Sequence, residues 1–190
     1  MEIISWFLSA VLIQNVVLSR FLGICPFLGV SKNKESAIGM GLAVTVVMTL
    51  SSIISYLIYN YLLVKFEITF MKTIVFILII ASFVQIIEMI IRKFSKKLYD
   101  NLGIYLALIT TNCAVLGMSQ IVIGETFTLL KTFIYSFASG IGFLLVLVIF
   151  SSIRSRIDTA PIIKSFKGVP IALITAALMS LILSRFAGVI

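Results

Sequence analysis

Histidine is absent from the 190 residues, and only two cysteines are present. The absence of histidine removes the commonest transition-metal ligand and the side chain that most often moves protons near neutral pH. Two cysteines are too few for a disulfide framework. The sequence also contains no nucleotide-binding loop, zinc-protease motif or catalytic triad, so no catalytic residue is predicted. Any metal held by this chain must therefore depend on thiolates or on oxygen ligands.

Charged residues are also scarce: they make up 12% of the chain, against 61% hydrophobic residues. A soluble domain usually has about 25% charged residues. The mean hydropathy is +1.23, and the apolar residues form long runs of the length that crosses a bilayer, roughly 17–25 residues each. These runs lack the alternation of membrane β-strands. The chain is therefore predicted to be an all-α integral membrane protein embedded in a lipid bilayer.

Six apolar segments are expected to be transmembrane helices of one polytopic domain that covers residues 1–190. The segments are Ile3–Leu22, Ala37–Leu63, Thr73–Ile91, Gly103–Ile123, Leu129–Phe150 and Val169–Phe186. The N-terminus has Glu2 in place of a basic region, and no small-residue cleavage site follows. The first segment is therefore expected to be retained as a membrane span.

The net charge of +8 is better explained by cytoplasmic loops than by binding to nucleic acid, which is not expected. Loops after segments one, three and five contain Lys32, Lys34, Arg92, Lys93, Lys96, Lys97, Arg154, Arg156, Lys164 and Lys167. The opposite side has only Lys65, Lys72, Lys131 and Arg185, and Arg20 lies inside segment one. This bias predicts that those three loops are cytoplasmic and that both termini are extracytoplasmic. The connection Arg154–Lys167 is predicted to be solvated.

The two cysteines lie in matching frames, one in each half of the chain. The frames are Gly23–Ser31 and Thr111–Ser119, which share the pattern Cys-x-x-Leu-Gly-x-Ser. The halves also match at Gly39–Leu42 and Gly140–Phe143. Because each half has three spans, an odd number, the second half must be inserted upside down relative to the first. The sequence therefore predicts inverted repeats, about 1–95 and 98–190, with a shared site at their interface.

Both cysteines are expected at breaks in their helices, in spans one and four. Segment one is predicted to be interrupted over Gly23–Gly29, because glycine permits positive φ and Pro26 disfavours helix before it. Cys113 follows Thr110–Asn112, residues that cap helices and satisfy broken backbone within membranes. Free backbone amides at such breaks favour a negatively charged thiolate.

A break would also bring Cys25 towards the midplane, because a straight helix from Ile3 would carry it about 33 Å along the axis. Cysteine is also a small hydrophobe that is commonly buried and inert, and one disulfide between the pair is possible. Zinc or an iron–sulfur cluster normally needs four ligands. If Cys25 and Cys113 bind a metal centre, a second subunit must supply the other ligands.

Other polar residues within the spans are weaker signals. They are Asn15, Arg20, Gln85 and Glu88. Ionisable groups inside a membrane commonly carry charge or bind substrate. The alternative is that Arg20 and Glu88 extend to the nearby cytoplasmic interface, or pair with each other or with a partner subunit.

Four stretches together resemble a known family over essentially the whole chain. They are Asn15–Ser31, Val75–Glu88, Leu108–Gly117 and Pro170–Leu181. They resemble the RnfA/RnfE and NqrD/NqrE group of membrane subunits, and within it the RnfA type, whose orientation agrees with the charge bias. The resemblance implies a six-span subunit of an ion-translocating ferredoxin:NAD oxidoreductase in a bacterial cytoplasmic (inner) membrane. Such a subunit belongs to a translocase complex and is not catalytic alone.

The resemblance also implies a cofactor and partners. Cys25 and Cys113 would be two of the four ligands of an intramembrane [2Fe-2S] cluster, completed by a homologous RnfE-like subunit. Other Rnf subunits would carry the flavin, iron–sulfur and NAD sites. Three alternatives stay open: an NqrE-like subunit of a Na⁺-translocating NADH:quinone oxidoreductase, an inverted-repeat ion or solute transporter without a redox centre, and a structural anchor.

Overall fold

The computed structural model describes residues 7, 10–11, 15–31, 33–65, 69–94, 106–125, 127–157, 159, 161 and 166–186. Over these ranges the regular structure is helical, without strands, as the sequence predicts. The helices are α1 (Val16–Arg20), α2 (Ile24–Val30), α3 (Lys34–Ile58), α4 (Lys72–Phe94), α5 (Leu106–Thr110), α6 (Cys113–Gly124), α7 (Leu129–Ile157) and α8 (Val169–Phe186). A π-helical segment, Tyr59–Leu63, continues α3, and a 3₁₀ turn, Thr69–Met71, precedes α4.

Three of these helical stretches are long and apolar enough to cross a membrane. They are Lys34–Leu63, Lys72–Ile90 and Leu129–Ile157, and shorter apolar helices cover Leu108–Gly124 and Val169–Leu183. Together they correspond to predicted segments two to six. Nine of the twenty residues of the first segment, Ile3–Leu22, lie outside the described residues. The arrangement of six spans as an inverted repeat therefore stays a prediction.

The antiparallel pair α3 and α7 forms the core of the molecule. Its helices approach closely at two glycines from the matching stretches of the two halves. A Cβ atom added to Gly140 would lie 2.6 Å from Thr45 Cγ2, and one added to Gly41 would lie 3.0 Å from Leu144 Cγ. Lipid tails are as apolar as leucine, so helices associate in membranes through close packing of this kind.

The remaining helices surround this pair. The α6 helix packs on α3, while α4 contacts α3, α5 and α6 and leaves most of its surface exposed. The α8 helix packs on α1, where the Ser180 hydroxyl donates a hydrogen bond of 2.7 Å to the Leu18 carbonyl. The short helices α1, α2, α5 and α6, which adjoin both cysteines, are thus surrounded by the longer helices α3, α4, α7 and α8.

The basic loop predicted after segment five begins later than expected. Because α7 continues to Ile157, both Arg154 and Arg156 lie in its last turn. Arg156 is exposed, whereas Arg154 is only 5% exposed. The prediction that Arg154 belongs to a solvated connection is wrong, because the face of α7 that carries it packs against α2.

Replacing Gly140 with alanine is expected to destabilise the α3–α7 pair by about 1–3 kcal/mol, because backbone and side-chain atoms of Thr45 would have to move. Gly39→Ala is the matched control: its added Cβ would meet no atom within 4 Å, so improved helix propensity makes it neutral or slightly stabilising. The measurement is the thermal unfolding midpoint of the detergent-solubilised protein. Equal midpoints for the two variants would contradict the prediction.

Candidate functional site

The first cysteine frame starts at a sharp turn between two short helices. The α1 helix ends at Arg20, Phe21 and Gly23 have left-handed φ values of 54° and 85°, and α2 begins at Ile24. Cys25 therefore lies in the first turn of α2, followed by a buried Pro26. Proline is tolerated there because its missing N–H would have no partner within the helix.

The interruption is consequently shorter than the sequence suggests. The sequence predicts a break over Gly23–Gly29, but the non-helical residues are Phe21 to Gly23, and Pro26 and Gly29 both lie within α2. The residue before a proline usually avoids helical conformation. Cys25 is helical despite this preference, because Pro26 fits in the first turn of α2.

The second frame has the same order of elements. The α5 helix ends at Thr110, and α6 begins at Cys113 after two non-helical residues. Asn112 is the N-cap, since its side-chain oxygen accepts a hydrogen bond of 3.0 Å from the Ala114 amide. Both cysteines thus lie in the first turn of a helix.

The two frames meet directly. The backbone N–H of Gly23 donates a hydrogen bond to the Cys113 sulfur over 2.9 Å. Since consecutive Cα atoms are 3.8 Å apart, the Cα atom of Cys25 lies within roughly 12 Å of that sulfur. The helix starts that carry the two cysteines are therefore neighbours in the structure.

Glycine is required at position 23 for two reasons. Its φ of 85° is strained for other residues, and an added Cβ would lie 2.9 Å from a ring atom of Phe143 and 3.1 Å from the Cβ of Ala114. A second close approach occurs at Gly117, where an added Cβ would overlap the side chain of Leu22. Gly117, in the second cysteine frame, therefore leaves room for Leu22 in the turn of the first frame.

Asn15 links the start of α1 to α7 through hydrogen bonds. Its side-chain oxygen accepts from the Val17 amide at 3.1 Å and so caps α1, while Nδ2 donates to the Gly142 carbonyl at 2.9 Å. The residue is 2% exposed. Asn15 is a weak polar candidate in the sequence, and in the structure it has this capping and packing role.

Both thiols are free, so the possible disulfide between them is absent. Cys25 is exposed and Cys113 is half-buried. Among the described residues, no group of three or more His, Cys, Asp or Glu side chains is placed to hold a metal ion. The arrangement therefore presents two thiols, one of them at the surface of this chain.

The polar groups around Cys113 suit a negatively charged sulfur. The Gly23 amide already donates to it, and hydrogen bonds to sulfur stabilise thiolates and cluster sulfurs. Asn112 is 3% exposed, and its Nδ2 donor has no hydrogen-bond partner although its oxygen is engaged by Ala114. An unpaired buried donor costs about 1–3 kcal/mol. The donor set therefore fits an anionic, thiolate-ligated group.

Arg20, the last residue of α1, lies beside the end of α6. It lines a cavity of about 400 Å³ together with Gln120 and Glu125, at the end of α6 that is remote from Cys113. In the predicted topology this is the extracytoplasmic side. Within the described ranges Arg20 and Glu88 form no ion pair with each other, and the extension of Arg20 to the cytoplasmic interface stays a prediction.

Glu88 and Gln85 lie on α4, where Glu88 is half-buried and Gln85 is exposed. The role of these two side chains, in function or at the membrane interface, stays a prediction.

Arg154 is the residue that sequence reasoning missed. Its Nη1 donates to the Leu28 carbonyl at 2.7 Å and to the Ser31 hydroxyl at 2.6 Å, at the end of α2. One signal was available in the sequence: Arg154 follows Phe150 by four residues and so continues its helix face. Phe150 is fully buried and stacks on Phe27 of α2, with ring centroids 4.0 Å apart.

Gly23→Ala is expected to destabilise the protein more than Gly168→Ala. Both glycines have left-handed φ values, 85° and 101°, so each substitution strains the backbone by about 1–3 kcal/mol. Only the Cβ at position 23 meets neighbouring atoms, which adds about 1–3 kcal/mol. Thermal unfolding of the two variants measures the difference. A Gly168→Ala variant that is the less stable of the two would refute this account of Gly23.

Comparison with known proteins is consistent with this architecture. The family model described as "Rnf-Nqr subunit, membrane protein" matches residues 3–190. The chain is 50% identical over 189 residues to the A-type subunit of the ion-translocating oxidoreductase complex of Glaesserella parasuis, covering 100% of this chain and 98% of that protein. The protein of the same name from Shewanella oneidensis is 50% identical over 183 residues, covering 96% and 95% of the two chains.

A third relative comes from Acetobacterium woodii, where it is named as the A-type subunit of a Na⁺-translocating ferredoxin:NAD⁺ oxidoreductase complex. It is 49% identical over 188 residues, which cover 99% of this chain and 98% of that protein. The resemblance to the RnfA type is thereby confirmed, together with the prediction of a multi-pass membrane protein. The chain belongs to the Rnf-Nqr subunit family of membrane proteins.

Proposed function

We propose that this chain is the RnfA-type subunit of an ion-translocating ferredoxin:NAD oxidoreductase complex in a bacterial cytoplasmic membrane. The names of relatives about half identical to it, over nearly their whole lengths, support membership of such a translocase complex. Those names also favour the RnfA type over the NqrE-like alternative. In the proposed orientation both termini are extracytoplasmic.

We further propose that Cys25 and Cys113 are two of the four ligands of one [2Fe-2S] cluster shared with a homologous RnfE-like subunit. The observation that carries this proposal is the hydrogen bond from the Gly23 amide to the Cys113 sulfur, which joins the two cysteine frames. The exposure of Cys25 supports a site that is completed from outside this chain. Other Rnf subunits would carry the flavin, iron–sulfur and NAD sites.

The residues of this chain would bind the cluster and would stabilise or oppose the negative charge on it. When bound, the cluster supplies one-electron redox chemistry, so that electrons can pass through the membrane interior. The Gly23 amide stabilises negative charge on the Cys113 sulfur, and the side-chain amide of the preceding residue, Asn112, is a buried donor without a hydrogen-bond partner. Buried apolar neighbours such as Phe143 and Ala114 oppose added charge, because they lower the local dielectric.

The proposal predicts that Cys25→Ser and Cys113→Ser each abolish one spin-resonance signal of the intact complex and lower its iron content by two atoms. Ser19→Ala is the control, because it changes an exposed side chain of α1 without removing a thiol. Iron analysis and spin resonance of the purified complexes provide the measurement. Serine variants that retain wild-type iron and signal would overturn the cluster assignment.

The transporter alternative predicts the opposite outcome in two respects. Both serine variants would then be tolerated, and the purified chain would move ions or solutes across vesicle membranes without any partner. Measuring transport by the purified chain alone, alongside the electron-transfer activity of the complex, separates the two classes of function.

A further inference from the structure

Three side chains of α7 contact α2 or the glycine that precedes it. Phe143 covers Gly23 at the start of α2, Phe150 stacks on Phe27 in its middle, and Arg154 binds its end. The spacing of seven and then four residues keeps these three side chains on one side of α7. The helix that carries Cys25 is thus held at three successive levels by a single long helix.

The contact at Arg154 satisfies the end of α2. The last carbonyls of a helix have no partner within the helix, and cations there interact favourably with the helix dipole. The guanidinium donates to the Leu28 carbonyl, which is one of these, and to the Ser31 hydroxyl just beyond the helix. Charge-assisted hydrogen bonds of this kind are shorter and stronger than neutral ones.

A guanidinium is nevertheless costly in free energy to bury if its only role is to cap the end of a helix. Arg154 is 5% exposed, and its Nε has no hydrogen-bond partner. Burying an uncompensated charge costs several kcal/mol. Within the described ranges no carboxylate forms an ion pair with it, and Arg156 on the same turn is exposed. A buried cation that binds only neutral acceptors is stabilised best by a negative charge nearby.

The proposed function supplies such a charge at the other end of the same short helix. The seven residues of α2 span roughly 10 Å, so Arg154 and Cys25 are separated by little more than the length of one short helix. Charges at this separation interact appreciably in an apolar interior, where solvent and salt screen them weakly.

We propose that Arg154 is a positioning residue for Cys25 and the fixed positive charge that offsets the negative charge of the thiolate-ligated centre. This inference rests on the proposed function, because it requires that centre at Cys25. Arg154 acts in two ways: its hydrogen bonds fix the end of α2 and thereby the orientation of Cys25, and its charge favours the reduced state, which has one more negative charge than the oxidised state.

The test compares Arg154→Gln, Arg154→Lys and the control Arg156→Gln in the intact complex. The measured quantities are the spectrum and the midpoint potential of the spin signal that depends on Cys25. Arg156→Gln is expected to leave both unchanged, because that side chain is exposed. Arg154→Gln is expected to shift the potential to more negative values and to alter the line shape. Arg154→Lys keeps the charge and is expected to return the potential most of the way to the wild-type value.

Two results would overturn the inference. One is an assembled Arg154→Gln complex with the spectrum and potential of Arg156→Gln. The other is an Arg154→Lys potential that is shifted as far as that of Arg154→Gln, which would remove the role of the charge.

If Arg154→Gln does not assemble, Ser31→Ala removes one of the two acceptors and leaves the arginine in place, with Ser36→Ala as its control. A changed line shape in Ser31→Ala alone supports the positioning role, and unchanged spectra in both variants refute it.

The experiment also separates this inference from the function on which it rests. A Cys25→Ser complex that keeps the signal would refute the cluster assignment itself. A signal that is lost in Cys25→Ser but unaffected by every change at Arg154 and Ser31 would refute only the role given to Arg154.

Discussion

A backbone amide reaches a sulfur atom 90 residues further along the chain, and the geometry around both cysteines follows from this hydrogen bond. For the Gly23 N–H to approach Cys113, position 23 must lack a side chain and the chain must turn through left-handed conformations. These conformations end α1 and allow α2 to begin at Ile24. Cys25 is consequently placed in the first turn of a helix, as Cys113 is, and one contact positions both thiols.

The irregular backbone at Gly23 is buried by neighbouring helices. Non-helical segments are tolerated at membrane depth only where neighbouring groups satisfy or bury them. Here α7 contributes to that cover: its Gly142 carbonyl binds Asn15, and Phe143 packs over Gly23. The close packing of α7 against α3 keeps α7 itself in position. The fold and the candidate site therefore depend on the same helix.

Length and hydropathy were sufficient to predict the long helices, because an apolar run of bilayer length has few other stable structures. Glycine and proline predicted an interruption near Cys25, but not its position, since Pro26 is as compatible with a first helical turn as with a break. Counting charges could not predict the buried position of Arg154, because the positive-inside rule assigns basic residues to cytoplasmic loops. Its partners Leu28 and Ser31 lie more than 120 residues away in sequence, and only the packing of α7 on α2 brings them together.

The distance along the chain between Gly23 and Cys113 also has a consequence for synthesis. A ribosome adding about 5–20 residues per second needs roughly 5–18 seconds to produce the 90 residues between them. During that interval the turn at Gly23 has neither the sulfur that accepts its amide nor the Phe143 ring that covers it. The first segment must be kept sheltered, by the insertion machinery or at the membrane surface, until the later segments arrive. The turn at Gly23 therefore reaches its final structure only after Cys113 and Phe143 have been made.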